Sequence, residues 1–80
     1  MILVHLQYYA QLREQAGMSG EQVNTAAASL RELYEELRLR RGFSLAADVL
    51  KVAVNAQFSA WDRPLRDGDT IVFIPPVAGG

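Results

Sequence analysis

Ile2, Val4, Leu6 and Tyr8 alternate with Leu3, His5 and Gln7, which is the two-residue period of a strand, and the β-branched and aromatic side chains suit that state. From Tyr9 the spacing becomes helical through Leu12 and Ala16, and Gly17 stands where a C-terminal cap belongs. Glu21 to Thr25 reads as a short edge strand. Ser29 followed by Glu32 is a capping-box pattern, and Leu30, Leu33, Tyr34 and Leu37 form one apolar stripe that Gly42 closes. The stretch from Phe43 to Leu50 fits either a helical turn or a loop. Val52 and Val54, then Phe58 to Trp61, predict two short strands around a turn at Asn55 and Ala56. Pro64 to Asp69 is turn-forming, with Asp67 and Gly68 its strongest pair, and Thr70 to Ile74 is a last, very apolar strand.

This order predicts an α+β domain: one mixed sheet of about five strands with helices on one face. The first and last strands are apolar on both sides, which places them centrally. Two short helices do not cover both faces of such a sheet, so an apolar face is left over for a partner.

Composition narrows the chemistry. Eighty residues make one small domain, with half the residues apolar. Nine acids against eight bases give a net charge of -1, too weak a field to gather nucleic acid or an anionic membrane surface. There is no cysteine, hence no disulfide, no thiolate nucleophile and no Cys-based metal site. Any sulfur chemistry must use something other than a side-chain thiol. No basic leader precedes the first strand and no apolar run approaches the ~18 residues of a membrane span, so a cytoplasmic protein is expected.

Residues 1–74 form the predicted domain and 75–80 a tail: Pro75, Pro76, Val77, Ala78, Gly79 and Gly80. The prolines end ladder pairing and favour extended backbone. Six extended residues reach roughly 20 Å, at about 3.3 Å each. Without Cβ atoms, a terminal glycine pair passes a narrow channel and lets a carboxylate approach a phosphate closely. Coupled to AMP, that carboxylate becomes an acyl-adenylate, and a sulfur donor converts it to a thiocarboxylate. Sulfur is then carried without any cysteine.

The tail, preceded by Leu65, Asp67, Gly68, Asp69 and an apolar strand, resembles that of the ubiquitin-like sulfur carriers. The run Tyr8, Tyr9, Ala10, Gln11, Leu12, Arg13, Glu14, together with Val54 and Asn55, resembles the small-subunit family of molybdopterin synthases. The resemblance implies a β-grasp fold and sulfur delivery in molybdenum cofactor synthesis. Gly80 would be the reacting residue, adenylated by a ubiquitin-activator-like adenylyltransferase that uses ATP and Mg²⁺ and then loaded by a sulfur-donor protein. Residues Pro75 to Gly79 would insert into the large subunit, within a heterotetramer, where the sulfur attacks a cyclic pterin phosphate. No tightly bound cofactor is implied for this chain. Partner contacts carried over from the family fall on Tyr9, Phe58 and Ile74, although Ile74 departs from the aromatic often found there. For Phe58 ordinary core packing is the open alternative. For Arg13 the alternatives are pairing with an acid on a partner and simple solvation.

The remaining residues suggest no catalytic centre. His5 has no Ser, Asp or second His spaced for a triad or metal site and reads as structural. Arg38, Arg40 and Arg41 close the second helix, where cations favour the dipole, and Glu36 precedes Arg40 by a helical turn. Trp61 reads as a satellite of the core, and Lys51 is the sole lysine. Two other functions stay open: sulfur carriage for thiazole or tRNA thiolation, and a ubiquitin-like modifier joined to proteins through Gly80. A stand-alone enzyme has little support, because no acid–base pair or activated nucleophile is visible.

Overall fold

In the computed structural model, which describes residues 1–76, the first alternating segment is β1 (Ile2–Tyr8) and the helical spacing after it is α1 (Ala10–Ala16). There follow β2 (Gly20–Thr25), α2 (Leu30–Arg41), a 3₁₀ turn (Ala47–Val49), β3 (Lys51–Val54), β4 (Gln57–Ser59) and β5 (Thr70–Ile74). The start and stop chemistry of α2 works as its sequence indicates. The Glu32 N–H donates to Ser29 Oγ at 3.3 Å, and Gly42 at φ 74° ends the helix in the left-handed conformation that glycine adopts freely.

The sheet order is β2-β1-β5-β3-β4, with β1 and β5 parallel and central and the other pairings antiparallel. This is the β-grasp arrangement, and it places the two most apolar strands in the middle as their composition demands. Val4, Leu6 and Tyr8 of β1, Val52 and Val54 of β3, and Ile71 and Phe73 of β5 point to one side and are buried. Leu12, Leu30, Leu33, Tyr34 and Leu37 from the helices close over them. Tyr34 is the aromatic centre of this layer, with ring centroids 5.1 Å from Phe73, 5.7 Å from Trp61 and 5.9 Å from Phe43.

The segment from Phe43 to Leu50 resolves as a loop containing one 3₁₀ turn, with Phe43, Ala47 and Leu50 buried. The expected strand from Phe58 to Trp61 is shorter than its pattern suggests, because β4 ends at Ser59. Trp61 leaves the ladder and stacks on Phe73 at 5.9 Å, the core satellite anticipated from its surroundings. Asn55 at φ 51° and Ala56 at φ 72° form the β3–β4 turn, whose paired left-handed residues match the twist of a two-residue hairpin. Among the described residues, no helix is long and apolar enough to cross a membrane.

Candidate functional site

The other side of the sheet carries no helix. By ladder register, Gly20, Gln7, Val72, Ala53 and Phe58 make one row across it, and Ile74 stands opposite Lys51 one step nearer the tail. Phe58 is 74% exposed, so the core alternative for this residue is excluded. The hairpin turn sets Phe58 on this open side, because Phe58 pairs with Ala53 and lies out of phase with the buried Val52 and Val54.

Tyr9 is the N-cap of α1 in extended conformation and is 50% exposed. Tyr9 and Ile74 line one groove of about 760 Å³ with Ala10, Gln11, Glu14, Gln15, Pro75 and Pro76. Two of the expected partner contacts therefore meet at the root of the tail. Phe58 lies three strands away from β1, at the far edge of the same face. Arg13 is exposed and shares a neighbouring groove with Gln7, Tyr8, Tyr9, Ser19 and Gly20, on the side of Tyr9 away from Ile74 and Phe58. Pro75 and Pro76 continue directly from β5, while Val77, Ala78, Gly79 and Gly80 lie outside the described residues.

Two polar networks that the sequence reading missed hold this face in place. At one end the Asp69 carboxylate, 4% exposed, accepts from Asn55 Nδ2 at 3.0 Å, Arg63 Nη1 at 3.0 Å and the Arg66 N–H at 2.9 Å. Burial pushes the Asp69 carboxyl up, but these three donors outweigh it and hold the group below the usual carboxylate range. Asn55 Oδ1 also accepts from the Thr70 N–H at 3.0 Å, so the hairpin turn is tied to the start of β5. Asp67 Oδ1 accepts from the Leu3 N–H at 2.8 Å. The signal for this network was Asn55 at a turn and the Asp-Gly-Asp run, both of which read as turn chemistry alone.

At the other end, buried Tyr8 donates to Glu21 Oε2 at 2.6 Å, and Arg41 Nε donates to the same oxygen at 3.0 Å. Arg41 Nη2 also pairs with Glu21 Oε1. Burial raises the Glu21 carboxyl, yet the bonds from Arg41 and Tyr8 hold it below its ordinary value. The same burial, with the Glu21 carboxylate beside it, pushes the Tyr8 phenol up. Arg41 is thus a tertiary tie between α2 and β2, whereas Arg40 pairs with Glu36 at 3.5 Å as the helical spacing indicates. Among the described residues, no three of His, Cys, Asp or Glu gather as a metal site, and His5 lies half-buried on the open face between Gln22 and Thr70.

A sheet in this order, gripping one long helix and releasing its last central strand into a proline pair, defines a ubiquitin-like β-grasp domain. The model of the ThiS family matches residues 6–80, and the chain belongs to that family. The molybdopterin synthase sulfur carrier subunit of Escherichia coli (strain K12) is 31% identical over 81 residues, covering 98% of this chain and all of that protein. In the complex of subunits 1 and 2 of molybdopterin-converting factor from Helicobacter pylori 26695, one chain matches with a TM-score of 0.68 at 26% identity, covering 99% of this chain and 100% of that one. The small archaeal modifier protein 1 of H. volcanii superimposes with a TM-score of 0.82 at 20% identity, covering 96% of this chain and 100% of that one, a likeness of fold alone.

Proposed function

We propose that this chain is the sulfur-carrying small subunit of a molybdopterin synthase. The observation that carries the reading is the 31% identity, over the whole length, with a protein of that name. The physical features agree with it. Among the described residues, the helix-free face of the sheet is apolar beside the root of the tail. The chain delivers an atom, and the partner supplies the pocket.

In this reading the Gly80 carboxylate attacks the α-phosphate of ATP, with Mg²⁺, on a ubiquitin-activator-like adenylyltransferase, and pyrophosphate leaves. Sulfide-level sulfur released from a donor protein then attacks the acyl carbon, the bond to AMP breaks, and a thiocarboxylate remains. The rigid Pro75-Pro76 base and the slim Val77 to Gly80 tip enter the large subunit, where the sulfur bonds to a cyclic pterin phosphate and water cleaves the acyl–sulfur bond, returning the Gly80 carboxylate. Tyr9, Phe58 and Ile74 dock the open face on that subunit, and two carriers with two large subunits make a cytoplasmic heterotetramer.

Intact mass of the protein from its native host tests the reading, with fragmentation of the C-terminal peptide. The expected result is exchange of one oxygen for sulfur on Gly80, and its loss when Gly80 is deleted. An unmodified carboxylate that persists after incubation with the activating enzyme, ATP, Mg²⁺ and a sulfur source overturns the proposal. Covalent adducts through Gly80 to lysines of other proteins would instead identify a modifier.

A further inference from the structure

The parallel ladder of β1 and β5 begins only at His5 opposite Thr70, so the Leu3 backbone faces the turn before β5 rather than a strand. Asp67 and Gly68 take the place of that strand. The Leu3 N–H donates to Asp67 Oδ1 at 2.8 Å, and the Gly68 N–H donates to the Leu3 carbonyl at 2.7 Å. The turn itself is closed by the Asp69 N–H on the Arg66 carbonyl at 3.1 Å, with Gly68 at φ 86°. Both Asp67 and Gly68 are exposed to water.

An aspartate followed by glycine carries a chemistry of its own. With no side chain on the second residue, its backbone nitrogen approaches the carboxyl group freely. The nitrogen bonds to Cγ and gives up its proton, a carboxyl oxygen leaves as water, and a five-membered succinimide ring closes. Water then opens the ring at either carbonyl. Opening at the side-chain carbonyl restores aspartate, and opening at the main-chain carbonyl leaves isoaspartate, with the backbone rerouted through Cβ and Cγ. The sum is an isomerisation that needs only water. In this protein Leu3 holds both reacting groups at once, the nitrogen through its N–H and the carboxyl through Oδ1.

We infer that Asp67-Gly68 is a site of isoaspartate formation that the Leu3 backbone keeps closed, and that it opens when the start of β1 detaches. Its position gives the modification a consequence. An extra backbone atom at residue 67 displaces Asp69, whose carboxylate ties Asn55, Arg63 and Arg66 to the start of β5. One covalent change at an exposed turn thus reaches the central strand that leads into the tail.

Peptide mapping of the full-length wild type should find isoaspartate at residue 67 after incubation in urea at neutral pH, and not after the same time folded. Asp67→Asn keeps the Oδ1 acceptor and turns the reaction into deamidation, with ammonia leaving in place of water, which intact mass follows directly. That variant should react at least about tenfold more slowly folded than unfolded. Adding Leu3→Pro removes the N–H donor, and the folded chain, checked by circular dichroism, should then deamidate about fivefold faster or more. If the proline variant does not fold, hydrogen exchange of the wild type decides: the Gly68 N–H, although at an exposed turn, should exchange about tenfold or more slowly than a free amide. Equal rates in the folded and unfolded chain, no acceleration in a folded Leu3→Pro variant, or free-amide exchange at Gly68 each overturns the inference.

Discussion

The two faces of the sheet use the same strands for opposite ends. Toward the helices, alternate residues of β1 from Val4 onward, and of β3 and β5, are sealed, and Val4, Ile71 and Phe73 have no exposed surface. One position along, on the same strands, stand Leu3, Val72, Ile74 and Ala53, which are only half-buried, and the outlying Phe58. Both sets are apolar, so hydrophobicity alone does not distinguish them. The helices do. A face covered within the chain stores folding energy, and an apolar face left bare holds that energy until a partner covers it. Substitutions on one side should therefore be read in stability and those on the other in binding.

The largest expected effect lies on the covered side. Phe73→Ala removes a ring packed against Tyr34 and Trp61 and should destabilise the domain by about 4 kcal/mol, measured by urea denaturation. A loss below about 1 kcal/mol would show that the helical layer collapses around the cavity and that the covered face is less tightly packed than its geometry indicates.

Next comes the Asp69 network that joins the two strand ends. Asp69→Asn keeps the shape but turns an amide N–H donor toward the donors of Asn55, Arg63 and Arg66, and should cost about 2 kcal/mol at neutral pH. Its pH dependence has a definite sign. The folded carboxyl is held below its unfolded value, so the charged form adds stability above about pH 4, the ordinary carboxylate value, and loses it as pH falls through the lower folded value. Stability of the wild type should decline in that acid range. Glu21, held low by Arg41 and Tyr8, contributes in the same direction. Asp69→Asn should therefore flatten the acid decline in part, and an unchanged slope would leave Glu21 as its source.

On the bare face, Phe58→Glu should change stability by no more than about 0.5 kcal/mol, as expected for a surface position. Affinity for the large subunit should nevertheless fall by about 30-fold, or roughly 2 kcal/mol. Calorimetry of the free variant and titration with the partner separate the two quantities. A melted variant would place Phe58 with the covered face after all.

Much of this division was legible before any coordinates. Alternation marks β1 and β5, their two-sided apolar character places them centrally, and the Ser29 cap and Gly42 stop bracket α2 within a residue. The excess apolar face followed from counting helices against strands. What stayed hidden depends on long-range partners. Arg41 reads as a dipole-stabilising residue because its real partner, Glu21, lies twenty residues back on another element. Asp69 reads as turn chemistry because Asn55 and Arg63 reach it only once the hairpin and β5 are assembled. The shortened β4 has the same origin, since Trp61 leaves the ladder for a stack with Phe73 that local pattern does not encode. The Tyr9–Ile74 groove likewise exists only because β1 and β5 lie side by side.

The smallest expected effect lies on the rim of that groove. Ala10 is held at φ 50°, between extended Tyr9 and the rest of α1, and it is exposed, so no buried contact of its methyl group offsets the strain. A left-handed L-residue costs about 1 kcal/mol or slightly more, while glycine gives back roughly 0.5–1 kcal/mol of that through its freer unfolded chain. Ala10→Gly should therefore raise stability by about 0.5 kcal/mol or less, visible as a small rightward shift of the urea midpoint. That gain belongs to the bare side of the molecule, where strain is tolerated because Tyr9 must be presented outward rather than packed. Gly17 and Gly42 already occupy the left-handed positions at the two helix C-caps. A loss of stability in Ala10→Gly would mean that the alanine methyl, and not the aim of Tyr9, is what this position is selected to keep.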